Sequence, residues 1–386
     1  RIVHPSDSAT HALGLLYGLE ARARTFRGEL AAALVAAQEA LKRLATEGAS
    51  WYETLGSALF AAGLLEDTVA LPRLLALAES NPPRPHAKRE ERAAFAQVAV
   101  SAMNIYAVIG AHEAGRRLIE LAQAAVAPIA AAEPLARGDV LFLRAYFISR
   151  LDANPWLQCE LASAAAAAFR EAENPRMVGF ARLLWSDALV MLGDQAAALT
   201  MLREVLEQAQ HRHEQLLSLW AQVYLASALL SGVNPSLSDT SLAEAQVLTD
   251  SVLSSTLAPK LLRGVACVCQ ATVARLRGHS ETALRSAREG LENLRRTPAF
   301  LSRAYHELLE CLTSHGEVLM TQGVADQALT HVQSRGGLAF NDVALYVACA
   351  KAYRSTGAVD MAQLAERKAL VCLEILRSRT PELRAR

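Results

Sequence analysis

The chain alternates between long apolar stretches and short polar turns that contain glycine. Small residues recur five and twelve positions after many of these glycines; after Gly357 they are Ala362 and Ala369. Positions seven apart lie two turns apart on one face of a helix, where small side chains let a neighbouring helix approach closely. Glycine suits the turn because the backbone there needs a conformation that a side chain obstructs. The pattern therefore predicts helical hairpins, each turning at a glycine.

Turns are predicted at Gly28, Gly110, Gly193, Gly278 and Gly357, with weaker members at Gly63 and Gly323 and two glycine-free turns near 152–155 and 232–239. Successive turns are 34 to 47 residues apart, so about nine hairpins fill the chain and leave no room for a separate globular domain. The residue four before the turn glycine is often bulky, as in Leu59, Tyr106 and Tyr353.

The run Trp51-Tyr52-Glu53-Thr54-Leu55-Gly56-Ser57-Ala58-Leu59, followed by Gly63, resembles the tetratricopeptide repeat (TPR). The resemblance covers essentially the whole chain, with a period longer than the standard 34 residues. It implies an all-α fold, a right-handed α-solenoid whose first helices line a concave face. Degenerate repeats of this length are similar to the superhelical sensor regions of bacterial signal-transduction ATPases of the maltose-regulator type and of bacterial Ser/Thr kinase–ATPase fusions.

Composition narrows the class of protein. The 386 residues carry 39 Lys and Arg against 39 Asp and Glu, and 52% are hydrophobic, which excludes a disordered chain and argues against nucleic-acid binding by bulk positive charge. Six cysteines in so long a chain do not form a disulfide framework. Alanine supplies roughly a fifth of the residues, as expected where many helices pack closely.

We predict one solenoid over residues 1–386, a fragment of a larger multidomain protein because the first residue is Arg1, with possible hinge loops at 80–88 and 232–240. Two uncharged stretches, 93–111 and 215–238, are predicted to be buried helices and not membrane spans. No signal segment opens the sequence, and the cysteines lie in apolar runs. These features favour a cytoplasmic protein.

Catalytic and cofactor motifs are missing from the sequence. It contains no phosphate-binding Gly-x-x-x-x-Gly-Lys-Ser/Thr, no Gly-x-Gly-x-x-Gly and no His-Glu-x-x-His. His306 and Glu310, one helical turn apart, are expected to be a surface pair and not a metal site, since two ligands rarely suffice. Cys267 and Cys269 are expected to be buried. The prediction is a protein that is not an enzyme and binds no metal or cofactor.

With no catalytic motif in the sequence, the function we expect is binding by the concave face. Counted back from each turn glycine, the resemblance points to candidate concave-face residues Glu53, Ser57, Phe60, Asn104, Phe180, Asp187, Met191, Arg275, Glu317, Lys351 and Arg354. This surface is expected to change from apolar and weakly acidic early in the chain to basic late in the chain.

The leading hypothesis is a non-catalytic interaction or sensor region of a cytoplasmic bacterial signalling protein. Its partner would be a protein or peptide, including other domains of the same chain. The alternatives are a peptide or small-ligand receptor of the quorum-sensor type, with an apolar pocket near Phe180, Trp185 and Met191, and a self-assembling scaffold.

Overall fold

The computed structural model describes residues 5–231, 238–335 and 341–380. In these ranges the chain forms eighteen α-helices and one π-helix, with no β-strand. The α-helices are α1 (Pro5–Phe26), α2 (Leu30–Leu41), α3 (Ala49–Leu64), α4 (Ala70–Ser80), α5 (Arg89–Ile109), α6 (His112–Val126), α7 (Pro134–Phe147), α8 (Pro155–Glu171), α9 (Pro175–Met191), α10 (Gln195–His211), α11 (Gln215–Leu230), α12 (Asp239–Ser254), α13 (Lys260–Leu276), α14 (Ser280–Leu294), α15 (Pro298–His315), α16 (Val318–Arg335), α17 (Asp342–Ser355) and α18 (Val359–Ser378). The π-helix, Ile148–Asp152, follows α7 directly.

The five strong turn glycines adopt the backbone conformation that the sequence predicts. Gly28, Gly110, Gly193, Gly278 and Gly357 have φ between 73° and 85°, the left-handed region that glycine enters without a steric penalty. Each lies between the first and the second helix of a hairpin. The small residues that follow are buried within the second helices, so the predicted hairpins are confirmed at these turns.

Both weaker turn assignments are wrong. Gly63 lies inside α3, and the left-handed residue of that hairpin is Glu66, at φ 53°. Gly323 lies inside α16, whereas Gly316, at φ 78°, ends α15. A glycine inside a helix and a glycine in a turn are alike in sequence, and only the backbone conformation distinguishes them.

The two turns predicted without glycine and the two predicted hinge loops lie partly within the described residues. Ala153, at φ 46°, ends the π-helix where a turn was predicted. Residues 232–237 of the second predicted hinge lie outside the described residues, and Ser238 caps α12 by accepting a hydrogen bond from the Ser241 amide at 3.2 Å. The loop from 81 to 88 is tied down at its start, where the Tyr52 hydroxyl donates to the Asn81 carbonyl at 2.8 Å. Hinge motion at either place stays a prediction.

The Cα positions divide into two compact units. Unit 1 comprises Arg1–Ala107, Ala111–Tyr146 and Ala164–Val178; unit 2 comprises Val108–Gly110, Phe147–Ser163 and Gly179–Arg386. In unit 1, Tyr52 of α3 contacts Trp51 and Phe95 edge to face, with ring centroids 5.4 and 5.5 Å apart. These buried rings fix α3 against α5.

From α10 to α18, in unit 2, each helix packs on the next, and the first helices also contact one another: α11 with α13, α13 with α15, and α15 with α17. We call α11, α13, α15 and α17 the first-helix row. Close approach depends on small residues, since a Cβ at Gly290 of α14 would lie 2.8 Å from Val268 Cγ2 of α13. Leucine, valine and alanine side chains from neighbouring helices fill the space between them.

Among the described helices, α5 is long and apolar enough to cross a membrane by length and composition, and 56% of its apolar window is buried by the rest of the protein. Its buried residues include Phe95, Val98 and Met103. In α11, the second uncharged stretch, nine of the sixteen residues are buried. Over 93–109 and 215–230, the helical parts of the two stretches, the chain therefore packs as the sequence predicts.

Candidate partner-binding surface

The predicted binding residues are all half-buried or exposed, and all except Glu317 lie on first helices. In unit 1, Glu53, Ser57 and Phe60 lie on α3 and Asn104 lies on α5. Glu53 forms an ion pair with Arg22 of α1 at 2.8 Å, whereas the Ser57 hydroxyl donates to the Glu53 carbonyl of its own helix. No described contact joins the α3 residues to Asn104.

The other candidates lie in unit 2. Phe180, Asp187 and Met191 belong to α9, Arg275 to α13, and Lys351 and Arg354 to α17. Glu317 was expected on a first helix, but it lies in the turn between α15 and α16, because the turn is at Gly316 and not at Gly323. There it pairs with Arg288 at 3.3 Å.

Asp187 is held by groups from the π-helix and α8. Its Oδ2 accepts hydrogen bonds from Ser149 Oγ and Gln158 Nε2, both at 3.3 Å. The same Gln158 nitrogen donates to the Leu184 carbonyl at 2.9 Å, and the Gln158 residue is 1% exposed. This carboxylate therefore has a fixed orientation on a half-buried surface.

The strongest polar contact of the first-helix row joins Arg275 of α13 to Glu307 of α15. Arg275 Nε lies 2.7 Å from Glu307 Oε1, and Nη2 lies 3.2 Å from Oε2. The pair is two-pronged, and the Glu307 side chain is only 4% exposed. Burial and the Glu307 carboxylate together raise the pKa of the Cys311 thiol to about 12, so this thiol stays protonated at neutral pH.

A second ion pair joins α15 to α17. Lys351 Nζ lies 2.8 Å from Glu310 Oε1. Burial by itself would raise the pKa of Glu310, but the hydrogen bond and positive charge of Lys351 hold it below its ordinary value. Burial lowers the pKa of His306, against the opposing effect of Glu307 and Glu310. His306 and Glu310 are both half-buried, and Glu310 pairs with Lys351 of the next first helix.

Arg303 of α15 connects three first helices. Its Nη1 donates to Ser227 Oγ of α11 at 2.8 Å, and its Nη2 lies 3.4 Å from Cys269 Sγ of α13. Cys267 and Cys269 are buried, as predicted. We call Arg275, Arg303, His306, Glu307, Glu310 and Lys351 the α13–α17 polar cluster.

Sequence reasoning named Glu310 as a concave-face position but missed Arg303 and His306, because it took Gly323 as the turn. Counted back from Gly316, Arg303, His306 and Glu310 lie at 13, 10 and 6 residues, the positions that the repeat assigns to the concave face. The signal was therefore present in the sequence, but it was read in the wrong register.

The expected basic end of the surface is neutralised by pairing. Arg275 pairs with Glu307, Lys351 with Glu310, and Arg354 with Glu366 of α18. The change from weakly acidic to basic along the surface stays a prediction. The surface offers alternating charges held in fixed places. Among the described residues no group of three or more His, Cys, Asp or Glu could hold a metal ion.

Comparison with known proteins bears on the fold of this chain. No protein-family model and no curated protein matches this chain. A crystal structure of Rap protein complexed with competence and sporulation factor is similar over 95% of this chain and 99% of that chain, with a TM-score of 0.64 and 14% sequence identity. The chain has a TPR-like helical repeat fold. The predicted fold class, an all-α right-handed solenoid, is confirmed. At 14% identity the likeness to Rap protein shows the fold alone, and the likeness to maltose-regulator ATPases and kinase fusions stays a prediction.

Proposed function

We propose that this chain is a non-catalytic interaction or sensor region of a cytoplasmic bacterial signalling protein, and that it binds a protein or peptide partner on its first helices. The observation that carries the proposal is the α13–α17 polar cluster. Charged groups in half-buried positions cost free energy that apolar side chains of similar size would not. Here they join successive first helices, and the Lys351 side chain remains 53% exposed. They therefore present fixed charges to a partner.

An extended polypeptide suits this arrangement. Its carbonyl and amide groups, or charged side chains, would meet the exposed edges of the ion pairs, while Phe180 and Met191 offer half-buried apolar contacts on α9. The Rap protein that shares the fold was crystallised with competence and sporulation factor. That complex supports a binding role for the fold.

A charge reversal tests the proposal without leaving a buried charge unpaired. Exchanging Glu310→Lys with Lys351→Glu keeps the ion pair between α15 and α17 but reverses the pattern of charge that a partner meets. The matched control exchanges Arg203→Glu with Glu244→Arg, a pair at 2.7 Å on the second helices α10 and α12. Its side chains are 50% and 36% exposed.

Peptides would be selected from a phage-displayed library on the wild-type chain, and their affinities measured by fluorescence anisotropy. We expect the exchange at 310 and 351 to weaken binding about tenfold or more, and the exchange at 203 and 244 to leave it unchanged. Equal binding by all three proteins would contradict a role for the polar cluster. A thermal-shift screen with small effectors separates the small-ligand alternative, which predicts stabilisation by a compound and selection of no peptide.

A further inference from the structure

Helix α1 carries an apolar stripe that the structure leaves uncovered. Leu16 and Leu19 are 64% and 57% exposed, and Ala12 and Ala23 beside them are exposed as well. These four residues are called the α1 stripe. The other side of the same helix is packed, since a Cβ at Gly14 would lie 3.0 Å from the Cβ of Arg43, in the turn after α2. Helix α1 is thus apolar on two faces, one buried and one exposed.

The repeat shows what normally covers this stripe. Leu16 and Leu19 lie twelve and nine residues before the turn glycine Gly28. The residues at the same two positions of α9, α13 and α17 are 0–2% exposed: Ala181 and Leu184, Ala266 and Cys269, and Leu345 and Ala348. These three first helices bury this face, whereas α1 does not.

The covering element in the later hairpins is a helix. Ala266 and Cys269 of α13 lie in one core cluster with residues of the hairpin before, Leu225 of α11 and Val252 of α12 among them, and Cys269 Sγ lies 3.5 Å from Ser227 Oγ of α11. No described element takes that place on α1. An exposed face that is buried in its structural equivalents marks an interaction site for another helix.

We propose that the α1 stripe pairs in antiparallel fashion with the α1 stripe of a second copy of this chain. The order Ala12, Leu16, Leu19, Ala23 has spacings of 4, 3 and 4 and reads the same in both directions. A twofold axis between residues 17 and 18 places Leu16 against the partner's Leu19, and Ala12 against the partner's Ala23. Spacings of three and four are those of a coiled-coil seam, and a twofold interface requires this self-complementarity.

The charges beside the stripe are compatible with this pairing. Glu20 pairs with Arg24 at 2.6 Å, and Arg22 pairs with Glu53 of α3 at 2.8 Å. Both bordering charges are therefore neutralised within each copy, and association leaves them paired. The stripe spans twelve residues, about 16 Å of helix. So short a seam buries less than a standard interface, and we expect a reversible dimer with a dissociation constant in the micromolar range.

Sedimentation velocity of the whole chain, at about 1 to 100 µM, tests the proposal. We expect the wild type to change from monomer to dimer over this range, and Leu16→Glu to stay a monomer with an unchanged thermal melt. The matched control is Leu319→Glu on α16, where the leucine is 89% exposed and lies outside the stripe; it should dimerise like the wild type. A wild type that stays monomeric, or a dimer that survives Leu16→Glu, overturns the proposal.

Oxidative cross-linking tests the orientation. A chain with both Ala12→Cys and Ala23→Cys should form a covalent dimer, because antiparallel pairing brings position 12 of one copy to position 23 of the other. Ala12→Cys alone should form none, since its two copies lie about 16 Å apart along the helix, beyond disulfide reach. The wild type, with half-buried Cys159 and Cys372, sets the background. Equal cross-linking by the single and the double variant overturns the antiparallel arrangement.

Discussion

A buried ion pair holds the end of α16 against the start of α17, and its removal should destabilise this region strongly. Arg335 and Asp342 form the pair, with side chains 2% and 0% exposed. Ser302 of α15 completes the site: its hydroxyl donates to Asp342 Oδ1 at 2.8 Å, and Arg335 Nη1 donates to Ser302 Oγ at 3.0 Å. Three helices therefore meet at one desolvated charge pair.

Asp342→Asn keeps the shape of the side chain and removes its charge, which leaves the Arg335 guanidinium buried without a counter-ion. Breaking a buried pair on one side costs about 3–5 kcal/mol. Because a repeat contacts mainly its neighbours, the loss should appear in α15 to α18 and not throughout the chain. We expect amide protons of α17 to exchange about a hundredfold to a few thousandfold faster, as measured by hydrogen–deuterium exchange with mass spectrometry.

Two further variants make the result interpretable. The combination Ser302→Ala, Arg335→Met and Asp342→Leu removes all three polar groups and should recover most of the lost protection, since apolar side chains of similar volume can replace a buried ion pair. Glu244→Gln, which breaks the exposed pair with Arg203, should cost less than about 1 kcal/mol. The reasoning is refuted if Asp342→Asn costs no more than this exposed control.

Two other predictions concern a buried carboxyl and the turn glycines. Oδ2 of Asp139 in α7 has no hydrogen-bond partner among the described residues, and burial raises the pKa of this carboxyl well above its ordinary value. The folded state therefore binds this proton more tightly than the unfolded state does, so the stability of the protein falls as pH rises from about 4 towards the raised pKa. At pH 8, Asp139→Asn should have a higher melting temperature than the wild type, and the difference should shrink towards pH 4. A difference in melting temperature that stays constant with pH would contradict this. Gly193→Ala should lower the free energy of unfolding by about 1 kcal/mol, because φ is 85° there while the added methyl group meets no atom within 4 Å. Gly323→Ala lies inside α16 and is equally free of contacts, so it should raise the free energy of unfolding by about 0.5–1 kcal/mol. Chemical denaturation that gives both glycine variants the same sign would contradict the assignment of the turn to Gly316.

The hairpins were predictable because their signal is local. A turn glycine allows a left-handed backbone conformation, and small residues five and twelve positions later allow close helix packing. Both features lie within one short segment. At Gly28 and Gly278 the structure shows both: φ is positive, and the residues that follow are buried. The prediction failed where the turn conformation came from elsewhere, at Glu66 and at Gly316. There a small residue inside a helix was taken for the turn.

The candidate site was less predictable because its residues depend on register and on partners distant in sequence. A displacement of seven residues on α15 hid Arg303 and placed Glu317 on the wrong element. Even with the correct register, the sequence does not show that Lys351 is paired with Glu310, 41 residues earlier. That pairing follows from the contact of α15 with α17.

Periodicity and backbone preference act over a few residues, so the hairpins of this chain could be predicted from its sequence. Which charges neutralise one another, and which apolar faces stay uncovered, as on α1, became evident only from the folded chain. Burial and ion pairing depend on which helices meet, and many of the paired residues lie 30 or more positions apart, as do Arg275 and Glu307, whose separation is 32.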